Sequence, residues 1–206
     1  MKHALIGLMF SVLWIGTPAM ATEQPSYTAS QQSGKLEVRQ YPALIAAEVS
    51  VSGDRETAVR AGFRLLAGYI FGGNVANQSI SMTAPVVQAP TKGQSIAMTA
   101  PVMQSGDGKD WTVRFIMPKA YTMQTLPKPK NPEVKLVPLK PANFAAIRFS
   151  GMAREPDIQL KTKELEDYMS ARHLKATGPA ALARYDPPWT LSMMRRNEIL
   201  IPIANP

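Results

Sequence analysis

The sequence predicts an α+β fold in which one antiparallel sheet curls toward a barrel and two α-helices pack outside it. Three observations predict it. Short segments with period-two alternation of apolar and polar residues recur along the chain, the mark of half-buried strands. Two longer amphipathic stretches, near 54–70 and 155–172, have helical spacing. The order strand, strand, helix, strand, strand also runs twice. Phe144 to Gly151 (FAAIRFSG) echoes the stretch from Leu44 to Gly53, and Glu133-Val134-Lys135 echoes Glu37-Val38-Arg39. The two halves, 35–117 and 133–203, are expected to share one core by pairing their strands, which removes exposed edges. The 35–206 segment is thus expected to be a single domain of two ββαββ halves.

In chain order, Met1-Lys2-His3, the apolar run Ala4 to Ile15 and the small-residue ending Ala19-Met20-Ala21 describe a secretory signal peptide over 1–21. The run is shorter than the ~20 apolar residues of a spanning helix. Cleavage near Ala21 predicts a periplasmic or secreted protein with no membrane span in the mature chain. Thr22 to Gly34 is polar and aperiodic, and is expected to be a flexible leader. Lys35 to Tyr41 and Ala43 to Ser52 alternate as two strands around Pro42. Asp54 suits a helix N-cap, and Ala58, Gly62, Phe63, Leu65, Leu66, Tyr69 and Ile70 make the apolar stripe of a helix ending at Phe71-Gly72-Gly73.

Next comes a doubled phrase, QSISMTAPVVQ at 78–88 and QSIAMTAPVMQ at 94–104. Its alternation predicts a hairpin with Met82 and Met98 facing the core, and its prolines predict strand edges. Trp111 to Met117 is a strand. Pro118 to Pro132 is a proline-rich crossover, with Tyr121, Met123 and Leu126 as anchors. The second helix, from about Glu155 to Arg172, buries Ile158, Leu165, Tyr168 and Met169. Strands Ala180 to Tyr185 and Glu198 to Ile203 finish the chain, flanking a rigid loop that begins Asp186-Pro187-Pro188-Trp189.

Composition narrows the function classes. There is no cysteine, so no disulfide supports the exported chain. The whole chain has 23 basic and 15 acidic side chains, a formal +8, and losing Lys2 with the signal peptide leaves +7. The cations are scattered, and export argues against nucleic acid. A basic surface of this kind attracts ligand carboxylates and, weakly, anionic membrane surfaces. The mature chain has one histidine, His173, and no Gly-x-Ser-x-Gly or His-Glu-x-x-His motif. These absences point to binding, not catalysis.

Met-Thr-Ala-Pro-Val at 82–86 and 98–102, WTVRFIMP at 111–118, Leu126-Pro127, FSG at 149–151, and Tyr185-Asp186-Pro187-Pro188 with Arg195-Arg196-Asn197-Glu198 resemble the SOUL haem-binding protein family. The resemblance runs from about Lys35 to Ile203. It implies a pseudo-two-fold distorted antiparallel barrel flanked by two helices, similar to the effector-binding domains of bacterial regulators. It also implies non-covalent binding of haem or a related tetrapyrrole, with no shared catalytic reaction. By position in the family's pattern, Arg60 on the first helix falls on a propionate partner and Phe63 on an apolar pocket residue. Gly68 stands where the family pattern has a Lys, and Arg64 is the replacement. Trp189, Met193 and Met194 form the other wall.

An iron ligand is harder to find. The stretch Glu37 to Tyr41 lacks the histidine associated with coordinating members. His173 is a weak candidate, since a lone His at a helix end is ordinarily a surface residue favoured by the helix dipole. Arg195-Arg196 with Glu198 read as an ion pair pinning the last strand. The alternative function is a binding module for another amphipathic small molecule, or an envelope interaction protein without haem.

Overall fold

The computed structural model describes residues 22–76, 93–106, 109–187 and 189–205. The expected signal peptide and the first copy of the doubled phrase, with Met82, lie outside the described residues.

Helix α1 (Arg55–Ile70) starts where its sequence directs. Asp54 holds an extended conformation and its Oδ1 accepts from the Thr57 N–H at 3.1 Å, satisfying an otherwise orphaned donor. Ala58, Gly62, Leu66, Tyr69 and Ile70 are the buried stripe. Helix α2 (Glu155–Ala171) begins with Asp157 Oδ2 accepting from the Arg154 N–H at 3.2 Å and has Pro156 in its first turn. It buries Ile158, Leu165, Tyr168 and Met169, as expected from their spacing.

The strands are β1 (Thr28–Ser33), β2 (Leu36–Tyr41), β3 (Leu44–Ser52), β4 (Asn74–Val75), β5 (Val102–Gly106), β6 (Asp110–Ile116), β7 (Lys128–Pro129), β8 (Lys135–Leu139), β9 (Ala142–Ser150), β10 (Ala181–Arg184) and β11 (Arg196–Ile203). Nine of them form one antiparallel, curled half-barrel in the order β1-β2-β9-β11-β10-β5-β6-β3-β8. Leaving β1 aside, exchanging the two halves maps this order onto itself. β2 trades with β8, β3 with β9, β5 with β10 and β6 with β11. The seam is the β5–β10 pairing, from Val102↔Arg184 to Ser105↔Ala181. Gly53 (φ +122°) and Gly151 (φ +119°) turn strand into helix at matching points of the halves.

Alternation assigns the two sheet faces. Ala145, Ile147 and Phe149 of β9, Leu182 of β10, and Ile199, Ile201 and Ile203 of β11 pack with the α2 stripe. Ala47 and Val49 of β3, and Val113 and Phe115 of β6, pack with Leu66, Tyr69 and Ile70 of α1. Each Val, Leu, Ile or Phe side chain among them contributes roughly 1.5–3 kcal/mol on full burial. The opposite face holds a small cluster of Ala146, Ala183 and Leu200 with Met103, Phe144 and Tyr185 against it.

Three local expectations are corrected. The leader is not without structure. Its polar Thr28–Ser33 segment pairs with β2, Glu23 bridges Thr99, and the Tyr168 hydroxyl donates to the Gln31 carbonyl at 2.5 Å. In the second copy of the doubled phrase, Gln94 to Pro101 is not a continuous strand. Ser95 and Thr99 make single bridges, and regular pairing begins at Val102. Met98, expected in the core, is exposed, while Ile96 and Ala100 are buried. The Thr99 hydroxyl donates to the Ile116 carbonyl, which draws Thr99 inward and leaves Met98 outside. The crossover is anchored by buried Leu126 and half-buried Tyr121, but Met123 stays 37 % exposed. The β4–β7 ribbon ties it to the end of α1.

Candidate functional site

The loop between β10 and β11 is closed by its own hydrogen bonds. At its base the Arg196 N–H donates to Asp186 Oδ2 at 2.5 Å and the Tyr185 N–H to the Arg196 carbonyl at 3.2 Å. Further out the Thr190 N–H donates to the Pro187 carbonyl at 3.1 Å. Met194 N–H donates to Leu191 O at 2.9 Å, making a single 3₁₀ turn over Ser192–Met194. Arg195 Nε reaches back to the Thr190 carbonyl at 2.8 Å. Several of its polar groups are bonded within the loop, and its apolar side chains face out. Trp189 is 83 % exposed, Met193 78 %, Met194 69 % and Leu191 65 %.

The residues expected to form the other side of the site are on α1. Arg60 is exposed and its Nη2 donates to Glu56 Oε1 at 2.6 Å, one turn back. Phe63 sits edge-on to Phe115 with ring centroids 5.3 Å apart, and 37 % of it remains accessible. Arg64 is exposed on the same helix.

Near the loop and the start of α1, Arg195 meets two arginines that the sequence did not single out, Arg55 and Arg184. The Arg184 guanidinium is held below its ordinary range by burial first, then by the positive charges of Arg55 and Arg195. Arg55 lies over the Trp111 ring at 4.5 Å and pairs with Glu155 at 3.5 Å, joining the first turns of both helices. Arg184 also donates to the Ala153 carbonyl at 3.3 Å, and Arg195 Nη1 approaches Met152 Sδ at 3.4 Å. The first turn of α1, the start of α2 and the loop therefore meet around these cations. Arg60, Phe63 and Arg64 follow along α1, with Phe63 about 12 Å of helix beyond Arg55. Only the pseudo-two-fold topology brings Arg55 and Arg184 together, so a linear reading had no signal for them.

His173 is not part of this surface. It follows α2 in a left-handed conformation (φ 56°), while the loop lies by the start of α2. A helix of that length separates the two by about 25 Å. Among the described residues no group of three or more His, Cys, Asp or Glu is placed to hold a metal ion.

Tyr185 and Arg196 have a different task. The carboxylate of Glu198, fully buried, accepts from Arg39 Nη1 and Nη2 at 2.5 and 3.0 Å, from the Tyr185 hydroxyl at 2.6 Å, and from Arg196 Nε and Nη2 at 2.9 and 2.7 Å. Burial alone would push Glu198 upward, yet the hydrogen bonds and charge of Arg39, with Tyr185 and Arg196, hold it below the usual carboxylate range. The Tyr185 hydroxyl is pushed up by burial and by the Glu198 charge. The expected ion pair on the last strand exists through Arg196, not through Arg195. Its main partner, Arg39, comes from β2 and carries the Tyr27 ring at 4.3 Å.

Comparison with known proteins now decides the family. The SOUL heme-binding protein family matches residues 22–202, nearly all of the chain. The chain belongs to that family. Among curated proteins nothing matches. Several solved structures share the fold at low identity. The C-terminal domain of EcmrR superposes with a TM-score of 0.56 at 11% identity, covering 87% of this chain and 99% of that one. Two Listeria innocua proteins follow. An uncharacterized conserved protein has a TM-score of 0.53 at 14% identity, and a hydrolase 0.51 at 15%, each covering 82% of this chain and 92% of its own. At such identities the likeness is one of fold. This SOUL protein thus has the effector-binding-domain architecture, and its family is one of binding proteins.

Proposed function

We propose that this SOUL protein binds haem or a related tetrapyrrole non-covalently, without catalysis, on the surface shared by α1 and the β10–β11 loop. The observation that carries the reading is the apolar loop beside an arginine-rich junction, in a chain of this family. The residues present fit the group in part. A flat ring needs apolar cover, which Trp189, Met193, Met194 and the accessible edge of Phe63 offer, and its carboxylates need cations, which Arg60 and Arg64 offer. Bound haem would contribute its iron, for which the surface presents Met thioethers and no imidazole. Binding therefore rests on apolar contact and charge. The protein acts in the periplasm or outside the cell, after cleavage near Ala21.

A separate cleft of about 290 Å³ favours the second reading, a module for another small amphipathic molecule. Ile158, Leu182 and Ile199 line it with Arg55, Glu155 and Lys163, and none of the loop residues contributes.

Haem titration of residues 22–206, followed in the Soret region, separates the two. The expected result is a saturable shift that weakens roughly two- to fivefold in Arg60→Ala, the loss of one exposed ion pair, and further in Trp189→Ser. Absence of a shift, or identical curves for both variants, refutes this placement of the ligand.

A further inference from the structure

The β10–β11 loop carries more apolar surface than any neighbour in the fold covers. Trp189, Leu191, Met193 and Met194 are 65–83 % exposed within six residues of sequence, and Met152 beside Arg195 is 45 % exposed. These side chains stand open to solvent, with little of the fold covering them. Arg195 belongs to the loop and reaches Met152, Arg184 at its base reaches the Ala153 carbonyl with exposed Arg154 next in sequence, and Arg55 adjoins. Of the nearby carboxylates, Glu56 is paired with Arg60 and Glu155 with Arg55, while Asp186 and Asp157 accept backbone N–H groups and keep their charge, so the arginines are in excess by a small margin. An apolar tip with a positive collar is complementary to a surface that is apolar inside and negative outside.

We infer that this loop docks the protein on an anionic phospholipid bilayer, with Trp189, Leu191, Met193 and Met194 entering the interfacial zone and Arg154, Arg184 and Arg195 meeting the headgroups. Two further features fit that environment. Tryptophan favours the membrane–water boundary, where its ring is apolar and its N–H stays hydrated. Part of the loop backbone is already bonded, through Thr190 N–H to Pro187 O, Met194 N–H to Leu191 O and Arg195 N–H to Ser192 O, so those groups cost little on entering the interfacial zone, and the remaining N–H groups of the tip stay at the hydrated headgroup level. Apolar burial and the +7 mature charge then act together, since either signal alone gives marginal binding. The inference does not depend on haem.

The test uses residues 22–206 and vesicles of equal parts phosphatidylglycerol and phosphatidylcholine, with pure phosphatidylcholine for comparison. That chain has two tryptophans, Trp111 at 5 % exposure and Trp189 at 83 %. Trp111→Phe leaves Trp189 as the reporter. A blue shift of its emission and quenching by brominated lipid are expected on the anionic vesicles, and weaker signals on the neutral ones. Leu191→Glu, which lies outside the proposed haem contacts, is expected to lower the vesicle partition coefficient at least about tenfold, because a carboxylate replaces an inserted leucine next to anionic lipid. Its circular dichroism should be unchanged, given its exposure.

Equal binding by Leu191→Glu overturns the inference and assigns attraction to the basic surface as a whole. No blue shift on anionic vesicles at low salt also overturns it, as does a concentration-dependent dimer abolished by Leu191→Glu in the absence of lipid. Haem titration of the same variant keeps the two proposals apart. Lost docking with a retained Soret shift supports the docking surface, whereas failure of haem to bind the parent chain leaves the vesicle result standing.

Discussion

Removing the Glu198 side chain is the sharpest test of what holds the sheet together opposite the helices. Glu198 has no exposed surface, and Arg39 is 1 % exposed. Five hydrogen bonds converge on the carboxylate, two from Arg39, two from Arg196 and one from Tyr185. Glu198→Ala leaves the Arg39 guanidinium buried with its main counter-charge gone. Breaking a buried pair from one side costs about 3–5 kcal/mol. For a chain of this size each kcal/mol lowers Tm by about 2–4 °C, so a fall of roughly 6–20 °C is expected.

Arg196, half-buried, can turn to water, but Arg39 is held by Glu37 at 2.6 Å and by the Tyr27 ring, and has no route out. Arg39→Met should therefore cost a similar amount, while Arg39→Met/Glu198→Leu should lose less than either single change, because no orphaned charge remains. Urea unfolding of all four proteins gives the cycle. A loss below about 1 kcal/mol for Glu198→Ala, or single effects that add within about 0.5 kcal/mol, refutes the coupling claimed for this network.

The same carboxylate predicts acid sensitivity. Its folded value lies below the ordinary 4.5, so its contribution is complete above that pH and is lost as pH falls further. The urea midpoint should be level from neutral pH to about 5 and drop below 4.5, and Glu198→Gln should flatten that drop. Two glycines of α1 should respond with opposite signs. A Cβ on Gly62 would meet Val113 Cγ2 at 2.8 Å and Val49 Cγ2 at 3.1 Å, so Gly62→Ala is expected to cost about 1–3 kcal/mol by overpacking. Nothing lies within 4 Å of a Cβ on Gly68, so Gly68→Ala should gain roughly 0.5–1 kcal/mol, read from the same melts.

Much of the fold was legible because the signals were local and strong. Asp54 before an apolar stripe placed the start of α1 to the residue, and the spacing of Ile158, Leu165, Tyr168 and Met169 placed the buried face of α2. The repeated order of elements gave the pseudo-two-fold. The leader was missed because Thr28–Ser33 has no apolar alternation. It is a strand through pairing with β2, a property of its neighbour and not of itself. Met98 was misplaced because alternation assumes a regular strand, and the chain there makes isolated bridges.

At the candidate site, Phe63 came from the family pattern and the loop residues from their apolar character beside Arg195-Arg196, and both are accessible in the fold. The convergence of Arg55 with Arg184 and Arg195 was not legible, since Arg55 lies far from the other two in sequence and meets them where both helices begin. Arg39 was equally silent. An arginine in an alternating strand reads as solvent-facing until the partner, 159 residues later, is known.

The strand order has a consequence for how the chain reaches its fold. β2 pairs with β9 of the other half, and β8 pairs with β3. Each half thus lends its first strand to the other, an exchange that two separate chains could also make. A fragment ending before the crossover would keep β2 with no strand but β1 to pair with, and β3 would lose one of its two neighbours. Neither half is a folding unit in its own right. Contacts that matter most are far apart in sequence, a topology that folds in milliseconds to seconds and not in microseconds. During that interval the lent strands are open to another copy of the chain, and the proline-rich crossover, by its reach, decides whether the exchange is completed within one molecule or between two.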